Sequence, residues 1–161
     1  VSFARFLTYE NRLAKIIVAP GGKRASAAVN DAEAGLLAMA GACLVEIDRL
    51  IATLTEGAGT LGRPVGRNDP LYVAAREIAG LGGLCKRPQL GEAAHSLCVL
   101  IDHFEAAANW RPEAISVHVS TIQLLRGMPV SEDNAVQQQL VESLRDMVKR
   151  LSDEDCASNR P

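Results

Sequence analysis

His95 and Cys98 stand one helical turn apart, and an imidazole and a thiolate at that spacing can grip one soft metal ion from a single helix face. Cys85 is the nearest third ligand, yet none of the four cysteines (Cys43, Cys85, Cys98, Cys156) falls in a Cys-x-x-Cys pair. A zinc site is therefore disfavoured, and no metal or other cofactor is expected. Three of these cysteines sit among Ala and Leu, as free thiols of reducing compartments do, and the chain reads as cytoplasmic. The other chemistry open to three histidines is phosphoryl transfer through an exposed, neutral imidazole. His95 and His103 fall off the Leu90–Leu97–Phe104 stripe and read as solvent-facing. Asp102 and Glu105 flank His103 and favour its imidazolium, the wrong state for a nucleophile. His118, beside the Ile115–Val119–Ile122 stripe, reads as half-buried. For each, an ordinary surface or helix-edge histidine is the simpler reading. Ser96 and Ser120 show no nucleophile elbow and no base partner in the spacing.

Composition limits the frame that holds these groups. Of 161 residues, 48% are hydrophobic and only 4% aromatic, with Ala and Leu dominant. Such residues lose little rotamer freedom in a helix, so an all-α chain is expected. The length fits one domain with a respectable core. Seventeen basic and nineteen acidic residues leave a net charge of −2, which carries no nucleic-acid footprint. No apolar run approaches the roughly 20 residues that span a bilayer, and no membrane partner is expected.

The periodic segments set the elements. Residues 1–25 form an N-terminal arm, read either as a short helix with Phe3, Phe6, Leu7, Leu13, Ile16 and Ile17 on one face or as an extended piece over Ala14 to Ala19, stopped by Pro20-Gly21-Gly22. The bundle domain covers residues 26–152. Its first helix starts near Ser26 or Asn30, with Glu33 completing a capping-box pattern. Val29, Leu36, Ala40, Cys43, Ile47, Leu50 and Leu54 then repeat by threes and fours, a seam for an antiparallel bundle or a dimeric coiled coil. Residues 57–70, rich in Gly and Pro, form a flexible loop that ends where Asn68 or Asp69 caps a helix with Pro70 at its first position. Two further segments follow, divided near Pro88, the second with Leu90, Ala93, Leu97, Leu100 or Ile101, and Phe104 on one stripe. Arg111-Pro112-Glu113 opens the next helix, with Ile115, Val119, Ile122 and Leu125 inward, and Gly127-Met128-Pro129 ends it. Ser131 starts the last, whose stripe is Val136, Leu140, Leu144, Met147 and Leu151. Residues 153–161 are a polar tail, expected to be disordered. The expected architecture is an antiparallel bundle of four to five helices.

The segment Arg76-Glu77-Ile78-Ala79-Gly80-Leu81-Gly82-Gly83, followed by Leu90, Ala93 and Leu97, resembles the signature of the histidine-containing phosphotransfer (Hpt) domain. That signature is His-x-Leu-Lys-Gly, then small residues, a second Gly and Leu at helical spacing. Ile78 falls on its Leu, Gly80 on its first Gly and Gly82 on the small residue after it. Arg76 stands where the family has its phosphoacceptor histidine, Ala79 where it has Lys, and Lys86 where it has the second Gly. Arg stays protonated and is a poor nucleophile, so the usual acceptor position is dead.

The resemblance implies an Hpt-like bundle that has lost its phosphoacceptor and binds a response-regulator receiver domain or a histidine kinase without chemistry. Arg76, Ala79, Gly80, Gly83, Lys86 and Arg87 would form the binding face, with basic charge suited to an acidic receiver pocket. Two alternatives accompany this expectation. One is an active phosphotransfer protein that uses His95, His118 or His103. The other is a structural homodimer whose subunits meet through the Val29–Leu54 seam and the glycine patch.

Overall fold

The computed structural model describes residues 23–59, 64–130 and 134–158. These build five helices and no strand: α1 Ala25–Ala58, α2 Pro70–Leu84, α3 Pro88–Ala107, α4 Pro112–Gly127 and α5 Ala135–Ser158. The all-α helical bundle read from composition and periodicity is thus the observed class. No helix among the described residues is long and apolar enough to cross a membrane.

Local chemistry explains the helix boundaries. α2, α3 and α4 each open on proline, at Pro70, Pro88 and Pro112, where the missing amide leaves no helical bond unmade. The Asp69 carboxylate accepts from the Leu71 amide at 3.0 Å, the cap expected of that residue. α1 begins earlier than Asn30, which lies inside the helix rather than at its cap. The Ala-rich start at Ala25, Ala27 and Ala28 propagates a helix without that cap. The proposed start of the last helix, Ser131, lies outside the described residues, and the first helical residue there is Ala135. α5 also runs on to Ser158, through most of what reads as a tail. Within the connection before α2, α1 extends to Ala58 and Val65 is buried.

The chain divides into two compact units, residues 1–37 and 38–161. Nearly all of the expected N-terminal arm, residues 1–22, lies outside the described residues. In the first unit, Lys23 and Asp31 pair at 2.6 Å along the helix surface. Val29 and Leu36 there are 55% and 46% exposed, although both belong to the seam read from sequence. In the second unit the seam is buried at Ile47, Leu50 and Leu54, with Cys43 partly covered. A threefold-fourfold repeat marks a face fit for burial and says nothing of how far its cover extends. Val136, exposed in the first turn of α5, makes the same point; the packed stripe there starts at Leu140 and includes Val141, Leu144, Met147 and Leu151.

α3 is the centre of the second unit, packed against α2, α4 and α5. Leu90, Ala93, Leu97, Leu100, Ile101 and Phe104 are buried, as their stripe implies. Ala94, Ser96 and Cys98 are buried as well, on flanks where one stripe predicts solvent. A helix with neighbours on three sides needs a small residue wherever one comes close, and α3 meets α2 at such a point. A Cβ placed on Gly82 would lie 2.6 Å from the Cα of Gly91, far inside contact distance. This glycine contact lies within one chain and not between subunits.

Two cysteines read as free thiols are joined: Cys43 and Cys85 form a disulfide between α1 and the residue that ends α2. Spacing failed here because the two lie 42 residues apart and meet only when the helices pack. The helix C-terminus at Cys85 then turns through Lys86, one of two non-glycine residues with positive φ among those described, the other being Ala108.

Gly82→Ala is expected to cost about 1–3 kcal/mol by overpacking. Gly83→Ala, whose Cβ would meet nothing within 4 Å, is expected to gain up to about 1 kcal/mol of helix propensity. Urea unfolding of the two variants tests the contrast, and equal effects would contradict it. Replacing both Cys43 and Cys85 by Ser is expected to lower stability by about 2–4 kcal/mol, read in the same experiment.

Candidate functional site

The residues assigned to a binding face do not all share one fate. Arg76, Gly80 and Gly83 recur at fourth and third places along α2, which sets them on a single side of the helix. All three are exposed, and a Cβ on Gly80 or Gly83 would face open space. Ala79 is half-buried, turned toward the contact with α3, and its carbonyl lies 3.1 Å from where a Cβ on Gly91 would sit. The glycine patch is therefore split: Gly82 closes the helix crossing, and Gly80 and Gly83 leave bare backbone at the surface. Each exposed helical glycine costs roughly 1 kcal/mol relative to Ala. The crossing accounts for Gly82 and leaves the other two unexplained.

Lys86 is exposed just past the end of α2. Arg87 is half-buried and already engaged. Its Nη1 donates to the carbonyls of Met128 at 2.7 Å, Arg126 at 3.2 Å and Leu125 at 3.4 Å, satisfying the orphan acceptors at the end of α4. Burial, followed by the nearby charge of Arg126, pulls its guanidinium below the ordinary range. Arg87 is a helix cap, and the basic charge free at the face comes from Arg76 and Lys86.

The three histidines separate sharply. His118 is fully buried, beyond the half-buried position its place on the helix suggested. Its Nδ1 lies 2.9 Å from the Ala114 carbonyl and its Nε2 3.1 Å from the Ser96 hydroxyl. A carbonyl only accepts, so Nδ1 carries the proton and Nε2 accepts from Ser96. Burial holds His118 below the usual imidazole range, opposed by the Ala114 carbonyl. Ser96, read from sequence as lacking a base partner, has one 22 residues away on α4, a pairing that no local spacing announces.

His103 is half-buried and its Nε2 lies 2.8 Å from Asp155 near the end of α5. The expected neighbour Asp102 is instead taken up by Arg67 Nε at 2.8 Å and by the Tyr72 hydroxyl at 3.3 Å. Adjacent residues on a helix point to different sides, which is why Asp102 serves a different partner. Asp155 also accepts from Asn109 at 2.7 Å and from Arg111 at 2.9 Å. The Asn109 bond first, then His103, hold its carboxyl below the usual range. These contacts fasten the last turns of α5, where the sequence reads as a disordered tail.

His95 is exposed. It lines a groove of about 410 Å³ between α3 and α5, with Ser96 and Val99 on one side and Arg145, Val148 and Lys149 on the other. Cys98 is buried, and burial pushes its thiol up to about 11. With Cys85 in a disulfide, the His95–Cys98 metal reading has lost two of its ligands. No group of three His, Cys, Asp or Glu residues among those described is placed to hold a metal ion.

No family model, curated protein or solved structure matches the chain. The site stands on its geometry alone.

As pH falls below about 6.5, the unfolded chain binds a proton that buried His118 resists, so native stability falls. His118→Gln is expected to lose less stability than the wild type between about pH 7 and 5, whatever its starting stability. Urea midpoints across that range test this; parallel pH curves would show that His118 contributes nothing to the slope.

Proposed function

We propose that the chain is a protein-interaction module of the two-component type, binding a receiver or kinase domain through the exposed side of α2. The observation that carries this reading is the split glycine patch: Gly80 and Gly83 present bare backbone to open space on the same helix side as Arg76. Exposed backbone lets a partner approach closely, and Arg76 with Lys86 supplies charge for an acidic pocket. The absence of an imidazole at position 76 makes the module a binder rather than a phosphoacceptor there. In a reducing cytoplasm Cys43 and Cys85 would be thiols, and the proposed face uses neither sulfur.

A specific observation favours one second reading. His95 is exposed and shares its groove with Arg145 and Lys149, whereas His118 is enclosed and His103 is held by Asp155. If a histidine of this chain accepts a phosphoryl group, His95 is the one.

Titration calorimetry against a panel of phosphorylated and unphosphorylated receiver domains tests both readings. At least one receiver is expected to bind, with a Kd at least about tenfold weaker for Gly80→Leu/Gly83→Leu and for Arg76→Glu, without loss of thermal stability. An affinity unmoved by those changes would overturn the face. Acid-labile phosphate that disappears in His95→Ala would replace the binding module by the phosphotransfer reading.

A further inference from the structure

The groove between α3 and α5 holds a second piece of chemistry, unrelated to the α2 face. We propose that Ser96 is a nucleophilic serine, activated by His118, that is acylated by small carboxylic esters entering this groove. The tautomer is fixed from behind. Because Nδ1 of His118 must donate to the Ala114 carbonyl, Nε2 presents its lone pair to the Ser96 hydroxyl at 3.1 Å. This is the arrangement in which an imidazole acts as base toward a serine, with a carbonyl in place of the orienting carboxylate. His118 is completely enclosed, whereas Ser96, 6% exposed, lines the cavity. Ser96 thus stands between the groove and a base that is shielded from water.

The step balances within these groups. Ser96 Oγ forms a bond to the ester carbonyl carbon as its proton passes to His118 Nε2. Collapse of the tetrahedral adduct breaks the bond to the leaving oxygen, which takes the proton from Nε2 and departs as the alcohol. The acyl group remains on Ser96. Mid-helix amides near Ser96 are spent on helical bonds, so the oxyanion must be met by side chains. Lys149 of α5 lines the same cavity and carries the charge for that task, since Arg145 there is paired with Glu92 at 3.0 Å, while Val99 and Val148 accommodate an apolar acyl chain.

The test uses p-nitrophenyl butyrate as the probe, with released p-nitrophenol, intact mass and peptide mapping as readouts. One butyryl group per chain is expected on Ser96, and none at that position in Ser96→Ala. The rate should rise with pH as His118 gives up any proton, and fall at least tenfold in His118→Gln that remains folded. Ser120→Ala, an exposed serine of α4 outside the lining of this groove, should leave the rate unchanged. Butyrylation confined to surface lysines, or a rate equal in wild type and Ser96→Ala, would overturn the proposal. Should His118→Gln fail to fold, the mapped site and the pH profile of the wild type decide the matter alone.

Discussion

The close approach of α2 and α3 at Gly82 and Gly91 is the constraint on which the rest of the bundle depends. Two helices that touch through backbone sit nearer than any pair separated by side chains. Bringing α2 this close to α3 buries Leu71, Ala74, Ala75 and Ile78 on one side of the crossing. It also turns Gly80 and Gly83 away from the contact, since residues two places before and one place after Gly82 point elsewhere on the helix. One steric requirement thus accounts for part of the glycine cluster, and the remainder is available to a partner.

Polar groups finish what the apolar core begins, and they do so at helix ends. Arg87 closes the carbonyls of α4, Asp69 closes the amides of α2, and Asp155 gathers Asn109, Arg111 and His103 around the end of α5. Arg126 reaches Asp48 at 2.8 Å, tying α4 to α1. Apart from the local Asp69 cap, each joins segments distant in the chain, so helix ends are held by partners rather than by propensity alone. Ser96 and His118 are a different case, a buried polar pair in mid-helix whose two hydrogen bonds offset the cost of burial.

Much of the fold was legible because its signals are local. Proline at Pro70, Pro88 and Pro112 marks three helix starts, and the spacing of Leu90, Leu97 and Phe104 marks a buried face. What escaped was non-local. The Cys43–Cys85 pair, the Arg87 cap and the Ser96–His118 hydrogen bond all join different elements, and no periodicity encodes them. The candidate face was half legible: Arg76, Gly80 and Gly83 share a side by helical arithmetic alone, but that arithmetic could not show that Arg87 was already engaged. The same limit applies to burial on three sides of α3, because Ala94 and Cys98 are compatible with either solvent or core until the neighbours are placed.

The disulfide has a topological consequence. Residues 43 to 85 are closed into a covalent ring that contains the second half of α1, the connection and the whole of α2. A single backbone cut anywhere between those cysteines opens the ring without separating the chain into two molecules. The Gly- and Pro-rich connection therefore becomes a place where new ends can be made, or a foreign segment inserted, while α1 and α2 remain tethered side by side.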